Sequence, residues 1–103
     1  MSKTISFLLA LAGAFLSVPA AFAQDAAAGE KKAAMCIGCH GIKGYQSSFP
    51  QVHKVPMISG QGAKYIVAAL TAYKKGERRH PSMRGIAGSL TEQDMADLGA
   101  YYE

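Results

Sequence analysis

The chain has little of what a small protein uses to hold itself together. Among 103 residues there are two cysteines, Cys36 and Cys39, and they stand too close in sequence to staple distant parts of a fold. There is no dense basic tract and no interleaving of aromatics with cations, so the composition gives no footing for nucleic-acid binding. Internal repeats and low-complexity segments are absent. No stretch reads as a clear strand, because none keeps the two-residue alternation of a half-buried sheet. No apolar run reaches the ~20 residues of a spanning helix, which excludes stable membrane insertion by that route.

What is present begins with a leader. Met1–Ala23 reads as a secretory signal peptide: Lys3, then an apolar stretch from Ile5 to Val18, then Pro19 and the small-residue motif Ala21-Phe22-Ala23. Cleavage there predicts export to the periplasm and a mature domain over residues 24–103, about 80 residues long. A domain of that size buries a marginal core and usually needs a disulfide, a metal or a cofactor. The stabilising agent is therefore expected at the two cysteines. The formal net charge of +4 falls to +3 without the leader, because Lys3 is its one charged residue. That mild positive balance suits docking to an acidic protein face.

The mature part reads as short helices joined by loops. Asp25–Met35 is alanine-rich, with acid at its start and Lys31 and Lys32 toward its end, an order that suits the helix dipole. Gly29 inside it costs helix propensity and makes sense where another helix crosses closely. Gly41–Gly62 reads as one long irregular loop, the kind that wraps something. Ala63–Lys75 has the clearest periodicity, with Ile66, Leu70 and Tyr73 on one stripe and Gly76 as its stop. Glu77–Ser89, with Pro81, Gly85 and Gly88, reads as a second loop. Thr91 and Asp94 then have capping-box spacing, and Leu90 and Met95 that of a hydrophobic staple. Met95, Leu98 and Tyr102 form the apolar face of the last helix. The class is all-α, with about three to five short helices.

The chemistry sits in Cys36-Ile37-Gly38-Cys39-His40, which matches the C-x-x-C-H attachment signal for c-type haem. Two thiols at that spacing can both form thioethers with one haem, and His40, next in the chain, is carried to the iron. A thioredoxin-like use of C-x-x-C would need a βαβ context, and none is visible. A zinc site would need two further ligands, and His53 and His80 are far off in sequence. For the other face of the iron the candidates are Met35, Met57, Met83 and Met95, with His80 and His53 as rivals. Met95 falls on a core face, Met35 lies beside the motif, and Met57 precedes the long helix. Met83, in His80-Pro81-Ser82-Met83, follows that helix and is the preferred ligand. A cavity lined by Ile58, Leu70 and Met83, with Cys36 and Cys39 facing it, is then expected.

At this point the sequence resembles the class I cytochromes c, especially the bacterial group that contains cytochromes c553 and the domains of cytochrome c4. The matching elements are Cys36–Gly41, then Pro56-Met57-Ile58-Ser59-Gly60-Gln61, then Tyr73–Arg78, then Pro81-Ser82-Met83, and finally Leu90-Thr91 through Tyr101-Tyr102. The resemblance implies a small cytochrome c fold around one covalently attached haem c. It implies His40 as proximal and Met83 as distal iron ligand. It implies that the Pro56 carbonyl accepts a hydrogen bond from the other ring nitrogen of His40, that Ile58 packs on the haem, and that Arg78 lies near its propionates. It further implies that Gly29 marks the crossing of first and last helices, opposite Tyr101 or Tyr102.

The function so implied is not enzymatic. It is that of a single-electron carrier between respiratory redox proteins: a reductase or dehydrogenase donor, and an oxidase or other acceptor. A haem-based enzyme or ligand sensor with a displaceable distal ligand, and a C-x-x-C thiol–disulfide module, are the alternatives. Lys43, Lys54, Lys64, Lys74, Lys75, Arg79 and Arg84 are candidates for a basic rim that steers partners. Two departures stand out. Cytochrome c4 has two such domains where this chain has one, and the stretch Ser47–His53 is longer than the family's usual spacing.

Overall fold

The computed structural model describes residues 23–49 and 51–103. The expected leader lies outside the described residues, apart from Ala23, whose carbonyl accepts a hydrogen bond from the Gln93 side chain. The described chain forms helices α1 (Ala26–Lys32), α2 (Ala34–His40), α3 (Ala63–Lys75), α4 (Pro81–Gly88) and α5 (Glu92–Tyr102). The all-α class holds. One two-stranded ribbon is added inside the first loop, where β1 (Gln46–Ser47) pairs antiparallel with β2 (His53–Lys54). No helix among the described residues is long and apolar enough to cross a membrane.

The alanine-rich start is two helices, not the single one expected over Asp25–Met35. Asp25 caps α1, its carboxylate accepting from the amides of Ala27 and Ala28 at 3.0 and 3.1 Å. At Ala33 the backbone flattens (ψ −12°), and the Cys36 amide bonds back three residues to the Ala33 carbonyl at 2.8 Å. That tight turn redirects the chain, so the whole attachment motif falls in α2. Alanine is the best of helix formers, so nothing in the local sequence announces the break.

Helix α3 has the bounds expected of it. Gly76 ends it in the left-handed region at φ 79°. The Gly76 amide bonds the Tyr73 carbonyl and the Glu77 amide the Ala72 carbonyl, at 3.1 and 2.9 Å, which completes a Schellman stop. The expected loop over Glu77–Ser89 is a correction: residues 81–88 form α4. Proline at the first helical position is a start signal. Its cap, however, is the imidazole of His80, whose Nδ1 accepts from the Met83 amide at 3.3 Å. Histidine is not a customary cap, and Gly85 and Gly88 weaken the helical pattern. Met83 therefore comes from a helix and not from a loop.

Helix α5 is the centre of the packing. Its start is the expected capping box: the Thr91 hydroxyl accepts from the Asp94 amide and the Asp94 carboxylate from the Thr91 amide, at 3.1 and 2.9 Å. Leu90 and Met95 are both buried, and the Thr71 hydroxyl meets the Met95 sulfur at 3.5 Å. Two glycines let neighbours come close. A Cβ on Gly29 of α1 would run into the Asp97 carbonyl and lie 2.8 Å from Cβ of Tyr101, so Tyr101 is the tyrosine at this crossing. A Cβ on Gly99 would lie 2.9 Å from the Ala63 carbonyl of α3. The core that results is thin: chiefly Ile66, Leu70, Ala87, Leu90, Met95, Leu98 and Tyr102.

A polar clasp lies beside the α1–α5 crossing. Asp97 is 2% exposed and is the one charged residue buried among those described. Its carboxylate accepts from Lys32 Nζ at 2.5 Å, Gln93 Nε2 at 2.9 Å and the Asp25 amide at 3.1 Å. Lys32 also meets Asp94 at 2.8 Å. The Lys32 bond, aided by the Thr91 backbone, draws the Asp94 carboxyl down to about 2 from its ordinary 3.8, and Lys32 with Gln93 lowers Asp97 as well.

Gly29→Ala is expected to cost about 1–3 kcal/mol or more by overpacking, whereas Gly88→Ala, where a Cβ meets nothing within 4 Å, should be neutral or gain up to ~1 kcal/mol. Denaturant unfolding separates the two. Carboxyls held below their unfolded value stabilise the fold above that value and lose the effect as the folded form is protonated. The melting temperature should therefore fall as pH drops from 3.8 toward about 2. Asp94→Asn, which keeps the cap acceptor and removes the charge, should make that fall shallower.

Candidate functional site

The two thiols, the imidazole and the thioether meet in one place. A mainly apolar cavity of about 470 Å³ is lined by all seven residues singled out from the sequence: Cys36, Cys39, His40, Pro56, Ile58, Arg78 and Met83. Its size lies within the roughly 300–1,000 Å³ of cofactor pockets. Leu70 lines it too, as expected, and no carboxylate does. Helix α2 supplies the attachment motif, α4 supplies Met83, and the segment before α3 supplies Pro56 and Ile58. Ile66, Leu70, Leu98 and Tyr102 are core residues that also face this space. The core is therefore one-sided and is completed by whatever fills the cavity.

The geometry at His40 is specific. Its Nδ1 lies 2.6 Å from the Pro56 carbonyl oxygen. A carbonyl only accepts, so Nδ1 carries the proton and Nε2 keeps its lone pair free for a metal. The sulfur candidates differ in how firmly they are held. Met83 is half-buried and packs against the core, whereas Met35 and Met57 are 46% and 50% exposed. Met35, passed over for lying beside the motif, nevertheless lines the cavity. Met95 is buried in the core and absent from the lining. Of the rival ligands, His80 spends Nδ1 on the α4 cap, and its ring meets that of His53 edge-on with centroids 4.8 Å apart.

Two features test whether the residues fit a bound group. The Tyr102 hydroxyl is buried beside the Cys36 thiol with no hydrogen-bond partner, a condition that costs about 1–3 kcal/mol. Burial, then the neighbouring Cys36, pushes this phenol up to about 12. Burial likewise pushes the Cys36 thiol up, partly offset by the Tyr102 hydroxyl. Exchange-active C-x-x-C thiols need the opposite shift, which weighs against the thiol–disulfide alternative at Cys36. Cys36 and Cys39 are not bonded to each other. Free sulfurs, an imidazole with one nitrogen tied, and a thioether on an apolar cavity fit a covalently attached haem. At the rim the Arg78 guanidinium stands 4.6 Å over the Tyr73 ring, a cation–π contact that holds its charge there.

The cytochrome c family model matches residues 26–102. The chain belongs to the cytochrome c family. It is 39% identical over 102 residues to cytochrome c4 of Pseudomonas aeruginosa, covering 99% of this chain and 48% of that protein. It is 40% identical over 83 residues to cytochrome c-554(548) of Halomonas halodenitrificans, covering 78% of this chain and 95% of that protein. The solved cytochrome c4 of Acidithiobacillus ferrooxidans superposes with a TM-score of 0.57 at 30% identity, over 78% of this chain and 50% of that one. The chain thus spans about half the length of the cytochrome c4 relatives it matches. Covalently attached haem c is the cofactor of this family, and the electron-transfer and iron-binding readings of the sequence agree with it.

Lining residues that had not been singled out include Val55, Tyr65 and Ile86. Tyr65 flanks the Ile66–Leu70–Tyr73 stripe and was within reach of the helical pattern. His53 and His80 meet only through the tertiary fold.

Cys36→Ser combined with Cys39→Ser is expected to leave haem extractable into acidified organic solvent, whereas the wild-type protein retains it. Retention by the double variant would break the link between this motif and the cofactor.

Proposed function

We propose that the chain is a periplasmic single-electron carrier, with residues 24–103 as its functional domain after removal of the leader. Cys36 and Cys39 would hold the haem by thioethers and His40 and Met83 would ligate its iron, with Pro56 orienting His40, Ile58 packing on the ring and Arg78 facing the propionates. The observation that carries this reading is the bond between His40 Nδ1 and the Pro56 carbonyl at 2.6 Å, on a cavity that Met83 also lines. Bound there, haem c supplies reversible exchange of one electron between ferric and ferrous iron.

The protein's own residues do the rest. The Pro56 carbonyl fixes the ring orientation and tautomer of His40 and raises its basicity as a ligand. The Met83 thioether favours the reduced iron and raises the potential. Ile58, Ile66, Leu70 and Leu98 exclude water, which disfavours the extra charge of the oxidised form. With His40 and Met83 both bound to it, the iron would have no position left for a substrate, which separates a carrier from a haem enzyme or ligand sensor. Export through the leader puts the carrier among respiratory redox proteins, a dehydrogenase or reductase on one side and an oxidase or other acceptor on the other. Such encounters are brief and use small interfaces.

The test is an optical spectrum of the holoprotein purified from the periplasm, oxidised and then reduced, with a pyridine haemochrome assay. Sharp reduced bands of low-spin c-type haem are expected, with the weak long-wavelength methionine–ferric band on oxidation. Met83→Ala should abolish that band and open the iron to cyanide and carbon monoxide. Rapid carbon monoxide binding by the wild-type protein would instead make it a sensor or enzyme.

A further inference from the structure

We propose that the β1–β2 ribbon is a docking finger, with Phe49 and Val52 beyond its strand ends as contact residues, for an acidic electron-transfer protein that offers an apolar recess. The nature of the partner rests on the carrier reading above; the finger itself rests on its own geometry.

Phe49 is 83% exposed and Val52 70%. Of the other exposed large apolar residues, Ile37 and Ile42 are less exposed, at 51% and 47%, and the rest have an explanation in the fold. Met35, Met57 and Tyr65 line the cavity, and Tyr101 lies over Gly29 and against the Tyr102 ring. Phe49 and Val52 are absent from the lining of that cavity and from the core among the described residues. They are nevertheless displayed by a built element. The ribbon pairs Gln46 with Lys54 and Ser47 with His53, and the Val55 amide extends it to the Tyr45 carbonyl at 3.0 Å. Inside the turn the Ser47 hydroxyl donates to the Phe49 carbonyl at 2.9 Å. At its base the His53 ring meets His80, the cap of α4, at 4.8 Å. Ser47, His53 and His80 all line the cavity. The finger therefore rises from the cavity rim, and a partner seated on it lies beside the cofactor site.

Charge says what kind of partner. Residues 31–76 contain seven lysines and no acidic residue; all seven acids of the chain lie before or after that stretch. Two of those acids, Asp94 and Asp97, are already engaged by Lys32. The finger thus stands in a segment of one sign, with exposed Lys43 and Lys54 as its flanks. A second copy of the chain would meet like charge. An anionic membrane is recognised by clusters of about four to eight basic residues, and the finger has two beside it. A protein with an acidic rim and an apolar recess matches both features. Aromatic anchors of this kind carry a disproportionate share of small interfaces.

The test uses a quartz-crystal microbalance and gold coated with carboxylate-terminated or mixed carboxylate- and methyl-terminated monolayers. At low ionic strength the wild-type holoprotein should bind the mixed surface about tenfold more tightly than Phe49→Ser/Val52→Ser, the loss expected for an interface anchor. The two should bind alike on pure carboxylate. Lys43→Gln/Lys54→Gln should weaken binding to both surfaces, and salt should weaken it for all. Equal binding of the wild-type and finger variants to the mixed surface would overturn the proposal. So would a wild-type dimer in sedimentation that Phe49→Ser dissolves, or anionic vesicles that the wild-type protein binds through Phe49. Adsorption reads mass and not redox state, so a sample without reducible haem would sink the carrier reading while the finger is still decided.

Discussion

Helices α1 and α5 can touch along their backbones only because residue 29 carries no side chain. That contact decides where everything near the cavity lies. It brings α1 and its cap against Asp97 and Tyr101, just ahead of the turn at Ala33. The turn in turn aims α2, with both thiols and His40, at the wall that Leu98 and Tyr102 present from the other side of α5. A single methyl group at residue 29 would act on the cofactor site through three successive elements, none of which it touches there.

The same crossing explains why a carboxylate is tolerated in so thin a core. Asp97 is buried, yet three donors from α1, its cap and α5 surround it. An uncompensated charge there would be costly, so the clasp acts as a condition on the docking of α1 as much as a source of stability. The apolar side of α5 has the opposite problem. Its residues face a space they cannot fill. A chain this short makes a stable interior by lending one wall to a cofactor, in place of building a second layer of side chains.

Much of this was legible before any coordinates. Helices α3 and α5 could be read because their stop and start signals are local: glycine in the left-handed region, and a threonine and an aspartate that exchange bonds three residues apart. The attachment motif is local too, and so is the glycine at the crossing. The features that escaped depend on distant partners. Alanine at position 33 favours continuing the helix, and the tertiary fold bends it. Helix α4 hides behind a histidine cap and two glycines. Strands of two residues are too short for any periodicity. The orphan hydroxyl of Tyr102 lies on a face that reads simply as apolar, because tyrosine counts as a hydrophobe until its oxygen is located.

The clasp at Asp97 also bears on the order in which the molecule comes together. Its bond to the Asp25 amide spans 72 residues and its bond to Lys32 spans 65. Contacts of such separation close late, since the entropy of the long intervening loop must be overcome first. The hydrogen bonds of the helix that carries both thiols are local, while one wall of the cavity it faces is made from the eleven residues of α5. Until α5 docks, Cys36 therefore stands clear of the wall that Leu98 and Tyr102 present, and α5 is the door that closes last.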